Sequence, residues 1–333
     1  MINIGVIGCG HWGPNHIRVL SRNKESNVLA CVDSDKKRLA VIKAAYPETK
    51  ILTDYRLIIN DKKIDAVVIA TPTKTHFDIA KECLEAGKHV LCEKPLSYTV
   101  SQAKRLFEIS KRRKKTLMVG HVFLFNAGIR KLREYINNGI LGKIYCIYST
   151  RTNLGPIRSD VNVIYDLAPH DISIFSYLLG TRPSDVQVRA QHFLQKNIED
   201  VAFISLSYPD RIIANIHVSW LDPQKVRKIT IVGDKKMVVW DDLNNFEPVK
   251  LYDKGIVEEP YYKDFGEFHL LLKESDVLIP KINLNEPLKA QDEYFLDCLK
   301  NKKTPEFGSA LSGLEVVEIL DMINKELEDG KKK

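Results

Sequence analysis

The first residues whose types and spacing could do chemistry are Gly8-Cys9-Gly10-His11-Trp12-Gly13. They follow an apolar run, Ile2–Ile7, and open a helical pattern, Pro14–Ser21. Gly8 permits a tight turn, Gly10 lets the backbone approach a pyrophosphate, and Gly13 lets helix and strand pack closely. The helix N-terminus then offers N–H groups to an anion, with His11 and Trp12 in the same turn. Asp33 ends the second apolar run, Val28–Val32, and stands twenty residues after Gly13. A carboxylate there accepts hydrogen bonds from ribose hydroxyls and repels a 2′-phosphate. The pattern predicts a dinucleotide site for NAD in preference to NADP, with Lys36, Lys37 and Arg38 as nearby cations.

Three further clusters follow. Ala70-Thr71-Pro72-Thr73-Lys74-Thr75-His76 comes after the run Ala66–Ala70. Thr71, Pro72 and Thr73 would wrap the cofactor's ribose and pyrophosphate at the carboxyl end of a strand, and His76 is a candidate beside them. Glu93-Lys94-Pro95 follows the strand His89–Cys92, where a lysine can bind a substrate hydroxyl and tune its acidity. Asp166 and His170 are four residues apart, so on a helix they share a face. The pKa of histidine suits proton abstraction near neutrality, and Asp166 would bind a hydroxyl or orient the imidazole. Ahead of them runs a polar stretch from Thr150 to Asn162. Arg151 and Arg158 suit a diphosphate or carboxylate, and Asn153 and Asn162 suit sugar hydroxyls or an acetamido group.

These residues need a scaffold, and the apolar pattern supplies one. Short runs at Ile2–Ile7, Val28–Val32, Ala66–Ala70, His89–Cys92 and Leu117–Val119 alternate with helical stretches at Pro14–Ser21, Lys36–Ala45, Thr75–Ala86 and Val100–Lys111. Continuous apolar strands between helices predict a parallel sheet covered on both faces. After residue 120 the pattern changes. A helix fits Ala127–Asn138 and another roughly Leu167–Leu179. Strands fit Lys143–Thr152, Val186–His192, Val201–Tyr208, Ile212–Trp220, Lys228–Val232 and Lys236–Trp240, with a turn at Pro209-Asp210. The segment near 243–284 is polar, with loops and weak strands, and two helices, about Pro287–Leu299 and Ser309–Leu327, close the chain. The fold class is α/β: a Rossmann domain over residues 1–121, then an α+β domain over 122–333 with a largely antiparallel open sheet. The closing helices are free to pack back on the first domain. One face of the second sheet should rest on its helices, and the other is a candidate subunit interface, giving a homodimer or homotetramer.

With these motifs on one chain, the sequence resembles the glucose–fructose oxidoreductase, inositol dehydrogenase and MocA family. Glu93-Lys94-Pro95, the Ala-Thr-Pro-x-x-x-His segment and Asp166-Leu167-Ala168-Pro169-His170 carry the resemblance. It implies that Lys94 and Glu93 sit beside the nicotinamide, that Pro95 is cis, and that Lys94 and His170 share the acid/base work. Gly10–Asn15, Thr150–Asn162 and Ile216–Pro223 are similar to the subgroup that oxidises C3 of UDP-N-acetylated hexoses and hexuronates. His121, in Gly120–Asn126, would reach the nicotinamide side and contact substrate. Leu124 stands where many members carry an arginine. Two other readings are a dehydrogenase of a free sugar or cyclitol, such as an inositol, and an NAD-sensing regulator without catalysis. The presence of Lys94, Asp166 and His170 argues against the regulator.

Composition sets the remaining bounds. The chain has 333 residues, 44% hydrophobic and 28% charged, an ordinary globular balance. No apolar run spans a bilayer, and the N-terminus reads as a strand and not a signal sequence. Cys9, Cys31, Cys83, Cys92, Cys146 and Cys298 show no metal-site spacing and are expected to be reduced, so a cytoplasmic location without a metal is predicted. The net charge is +7, but the densest basic run, Lys111–Lys115, ends a helix, where cations complement the dipole. Neither nucleic acid nor membrane is expected as a partner. Gly330–Lys333 reads as a frayed tail.

Overall fold

A computed structural model describes residues 1–259, 269–273 and 276–330, so the Lys331–Lys333 tail and parts of the 243–284 segment lie outside the described residues. Two compact units form: Met1–Phe125 with Asn285–Asp321, and Asn126–Leu284 with the residues from Met322 onward.

The first unit begins β1 (Ile2–Ile7), α1 (Gly13–Arg22), β2 (Ser26–Val32), α2 (Lys36–Ala45), β3 (Lys50–Leu52), α3 (Arg56–Ile59), β4 (Ala66–Ile69), α4 (Thr73–Glu85), β5 (His89–Cys92), α5 (Val100–Arg113) and β6 (Leu117–Val119). Its six strands are all parallel, in the order β3-β2-β1-β4-β5-β6. Strand order reverses between β1 and β4, so a crevice opens past their carboxyl ends, where Gly8 and Ala70 lie. The apolar runs are continuous because the strands are covered on both faces: Ala66, Val67, Val68 and Ile69 of β4 are all buried. The α5 helix starts on a reciprocal cap, Thr99 with Gln102, and ends at Lys114 in the left-handed region. Of the basic run there, Lys111 places its ammonium 4.4 Å from the Phe107 ring centroid.

The second unit contains α6 (Ala127–Asn137), β7 (Ile144–Leu154), α7 (Val163–Leu179), β8 (Asp185–Gln191), β9 (Val201–Ser207), β10 (Ile213–Ser219), β11 (Leu221–Gly233), β12 (Met237–Asp241), β13 (Val249–Tyr252), β14 (Gly255–Glu259), β15 (His269–Lys273) and β16 (Val277–Leu278). Eight strands make one sheet, ordered β16-β13-β12-β11-β7-β10-β9-β8, and β14 pairs separately with β15. Pairing is antiparallel except between β7 and β10, which run parallel at the centre. The helices α6 and α7 pack on one face, over Ile147, Ile216, Val218 and Trp240. Gly128 lets α6 come close, because a Cβ there would stand 2.5 Å from the Trp240 ring. The opposite face leaves Tyr148, Phe203 and Ile213 about half exposed.

Two helices close the chain, α8 (Pro287–Lys300) and α9 (Ala310–Gly330). The helix α8 packs on α1, and Leu314 and Val317 of α9 join the core under β1, β4, α4 and α5. The sequence misses β3 and α3, and it starts α7 four residues late. Helix α7 begins at Val163 because Asn162 caps it, its Oδ1 accepting from the Tyr165 N–H at 3.0 Å. All six cysteines are free thiols, and among the described residues no helix is long and apolar enough to cross a membrane.

Candidate active site

In the first unit, Gly8 has φ +96°, and a Cβ there would lie 2.5 Å from the Ala70 carbonyl oxygen; one at Gly13 would lie 1.9 Å from that of Gly8. Larger residues at either position would push the turn apart. At Gly10 the nearest atom to such a Cβ is Arg38 Nη1 at 3.6 Å, so the backbone is open to a ligand. Trp12 at the start of α1 makes no side-chain cap, which leaves the first-turn N–H groups to an anion. His11 and Trp12 pack edge to face, ring centroids 5.5 Å apart. Asp33 is 8% exposed; its Oδ2 accepts from the Cys9 N–H at 2.7 Å and its Oδ1 from the Asp35 N–H at 2.8 Å. Arg38 Nη1 stands 3.6 Å from the same carboxylate. The open backbone at Gly10 and the carboxylate at the end of β2 fit a dinucleotide.

Thr71, Pro72 and Thr73 lie where β4 passes into α4, and the Thr75 hydroxyl donates to Thr71 Oγ1 at 2.7 Å. His76 sits in the first turn of α4. Its ring is buried, with Nδ1 2.9 Å from the Pro95 carbonyl and Nε2 2.9 Å from that of Thr71. Burial lowers its pKa. The ring ties the loop after β4 to the loop after β5, and so shapes the crevice from behind.

The Lys94–Pro95 bond is cis. Glu93 is buried; its Oε2 accepts from the Lys94 N–H at 3.3 Å and its Oε1 meets His16 Nε2 at 3.0 Å. His16 Nδ1 lies 3.0 Å from Asp292 Oδ2, and both His16 and Asp292 are fully buried. Burial opposes a charge on His16, but Asp292, by charge and hydrogen bond, and then Glu93 outweigh it and push its pKa up to about 10. His121 is buried at the end of β6, near the charges of Glu93 and Lys94, and neither ring nitrogen has a hydrogen-bond partner. Burial drives its pKa down to about 4, which leaves a neutral ring at pH 7.

In the second unit, Asp166 and His170 lie on α7, with His170 9% exposed. The carboxylate of Asp166 accepts from Arg158 Nη1 at 2.9 Å and from Trp220 Nε1 at 3.2 Å, so these two groups fix its direction. Arg158 also forks onto Asp160, at 2.9 and 2.7 Å. Three of the polar residues expected at the substrate have hydrogen-bond partners within the fold. Arg151, 3% exposed, pairs through Nε and Nη2 with the buried Asp171, at 2.8 and 3.1 Å. Asn153 donates to the Gly155 carbonyl. Asn162 caps α7 and donates to Glu199 Oε2 at 2.8 Å. The sequence does not single out His16, Asp292 or Trp220 by role. A faint signal exists for His16, which shares the buried face of α1 with Ile17 and Leu20.

Comparison with known proteins agrees with this architecture. The profile of the oxidoreductase family with an NAD-binding Rossmann fold matches residues 2–121, and that of the GFO/IDH/MocA C-terminal domain matches residues 129–239. Inositol 2-dehydrogenase 2 of Saccharopolyspora erythraea is 31% identical over 65% of this chain; the match spans 66% of that protein, just under two thirds of its length. Myo-inositol 2-dehydrogenase of Thermotoga maritima is 30% identical over 86% of this chain and 90% of that protein. UDP-N-acetylglucosamine 3-dehydrogenase of Acidithiobacillus ferrooxidans is 27% identical over 84% of this chain and 85% of that protein. A solved structure of the same A. ferrooxidans enzyme superposes with TM-score 0.81 over 98% of this chain and 97% of that one, at 23% identity. The Rossmann order of the first sheet, its glycine turn and the mixed sheet of the second unit therefore have one source: the chain belongs to the Gfo/Idh/MocA family of oxidoreductases.

Proposed function

We propose that the chain is a cytoplasmic NAD-dependent dehydrogenase that oxidises C3 of a UDP-N-acetylated hexose or hexuronate. The observation that carries this is the similarity to the A. ferrooxidans UDP-N-acetylglucosamine 3-dehydrogenase across 84% of the chain. The turn from Gly8 to Gly13, with His11 and Trp12, would hold the cofactor's pyrophosphate; Asp33 would hold its ribose, and Thr71, Pro72 and Thr73 would line its path. Bound NAD supplies the hydride acceptor. The C3 hydrogen leaves with its bonding pair, the C3 hydroxyl gives up its proton, and a ketone remains. Lys94 and His170 share the handling of that proton, and His121 offers two neutral ring nitrogens to the substrate. Arg158, paired with Asp160 and Asp166 but with its side chain about one-third exposed, is a cation that would face a phosphate or carboxylate; Asp166 is held for a neighbouring hydroxyl by Arg158 and Trp220.

A second reading, a dehydrogenase of a free cyclitol, draws on the two inositol dehydrogenases at 31% and 30% identity. The commitment of Arg151 to Asp171 also favours it, since it leaves fewer cations for a diphosphate. NADH formation with UDP-N-acetylglucosamine, its uronate and myo-inositol separates the two, and turnover of inositol alone overturns the first. Lys94→Ala and His170→Asn should each lower kcat by about 10²–10⁴-fold; an unchanged kcat in His170→Asn would remove that residue from the mechanism. We propose further that two copies associate through the outer face of the eight-stranded sheet.

A further inference from the structure

Between α1, the end of β5 and α8 the first unit buries three ionisable side chains in a row. His16 lies in the centre, with Nε2 3.0 Å from Glu93 Oε1 and Nδ1 3.0 and 3.1 Å from the two oxygens of Asp292. His16 and Asp292 are fully buried, and the Glu93 side chain is 10% exposed. A neutral imidazole has one N–H, yet both nitrogens here face carboxylate oxygens at hydrogen-bond distance. Leaving a bare nitrogen lone pair against a buried carboxylate would repel, so the row needs a second proton, and the imidazole, a stronger base than either carboxylate, is the group to take it. The far oxygen of Glu93 accepts from the backbone N–H of Lys94, so the row ends on the main chain that carries the Lys94 side chain. Gly120 makes room for it, since a Cβ there would sit 3.1 Å from the Glu93 carboxylate.

We propose that His16 is a positioning residue held as an imidazolium: clamped by Asp292, it fixes the Glu93 carboxylate, and Glu93 fixes the backbone at Lys94. This rests on the reading of Lys94 as a group that handles the substrate proton. The role is distinct from plain packing because it depends on charge. Asp292→Asn preserves shape and an acceptor oxygen but removes one of the two carboxylates that favour the imidazolium. The groups facing His16 are Asp292 from α8 and Glu93 from the loop after β5, so those two carboxylates set its titration.

The first test needs no variant. Nitrogen-15 NMR of the cofactor-free protein, with His16 assigned by the His16→Gln variant, is expected to show both ring nitrogens protonated at pH 8; a single protonated nitrogen there overturns the proposal. The second test uses Asp292→Asn and His16→Gln with whichever of UDP-N-acetylglucosamine or myo-inositol is turned over. In Asp292→Asn, kcat should fall about 10²-fold with the KM for NAD little changed, as expected for a misplaced group that does not bind cofactor. Its kcat should also gain an alkaline fall at a pH where the parent stays flat. Glu93→Gln, which keeps the shape of the link but not its charge, should reproduce the loss of kcat. Lys94→Ala is run alongside. If it is inactive while Asp292→Asn and His16→Gln keep full kcat and an unshifted pH profile, the proposal fails alone. If Lys94→Ala also keeps full turnover, the assignment of Lys94 fails and the positioning role falls with it.

Discussion

Single side chains at the end of β2 and the start of α1 set what the first unit can bind. Asp33 spends one lone pair of each oxygen on the backbone of its own crevice, at Cys9 and Asp35, and on the proposed reading the others would accept from a ribose. Replacing it by asparagine keeps the shape and removes the charge. A hydrogen bond to a charged group contributes roughly 1.5–3 kcal/mol, so Asp33→Asn should raise the KM for NAD by at least about tenfold. The proposed preference over NADP should narrow as well, because the carboxylate that would repel a 2′-phosphate is removed while Arg38, 3.6 Å from both Asp33 and Asp35, remains; steady-state kinetics with both cofactors measure this. His16 gives a second expectation. Its pKa is raised from 6.5 to about 10 in the folded protein, so its contribution to stability is complete below about pH 6.5 and is lost as the pH climbs through about 10. The Tm of the cofactor-free protein should decline across that window, and the decline should disappear in His16→Gln. A flat profile in the parent would mean that the ring is not charged.

At the scale of elements, the buried pair between Arg151 on β7 and Asp171 on α7 joins a sheet to the helix that carries Asp166 and His170. Removing one partner strands a buried charge, so Arg151→Ala should cost about 3–5 kcal/mol in a urea titration, while Arg151→Leu combined with Asp171→Leu should recover most of it. If Arg151→Ala instead left stability alone and raised the substrate KM, the arginine would be a ligand after all. The pair also shows what the sequence does and does not disclose. The parallel strands β1, β2, β4 and β5 are legible because their runs are mostly buried on both faces and mostly apolar, with Asn3, Ser26, Asn27 and His89 near their N-terminal ends. The three residues of β3, two of them only partly buried, give no such signal. The start of α7 is hidden because Val163, Ile164 and Tyr165 read as an apolar run and Pro169 reads as a breaker, so its cap, Asn162, resembles a free ligand. The parallel pairing of β7 with β10 is invisible to a pattern of consecutive strands, which suggests only hairpins. Gly8, Gly10, Gly13, Asp33 and Lys94 stand out because their proposed roles depend on local turns. The charge on His16 depends on Asp292, 276 residues away, and no local spacing reveals it.

Across the whole molecule, the surface that asks for cover is the outer face of the second sheet. Phe203 and His217 stack there at 4.3 Å on paired strands, and a depression lined by Tyr148, Asn215, Arg189 and Glu326 lies beside them. Exposed aromatic rows of this kind mark association surfaces. Phe203→Glu should therefore lower the sedimentation coefficient to that of a single chain, with far-ultraviolet circular dichroism unchanged; a parent that already sediments as one chain would refute the assembly. The path of the chain has a consequence of another sort. The first unit takes Met1–Phe125 and then Asn285–Asp321, with the bulk of the second unit translated in between. A ribosome making this protein releases His16 and Glu93 first and Asp292 only after Asn126–Leu284 of the second unit. Until then α1 lacks the helix that buries it and the imidazole lacks its second carboxylate. The nascent dinucleotide-binding domain is thus unfinished through most of its own synthesis, and a fragment ending at residue 125 should remain protease-sensitive until a peptide spanning 285–321 is supplied in trans.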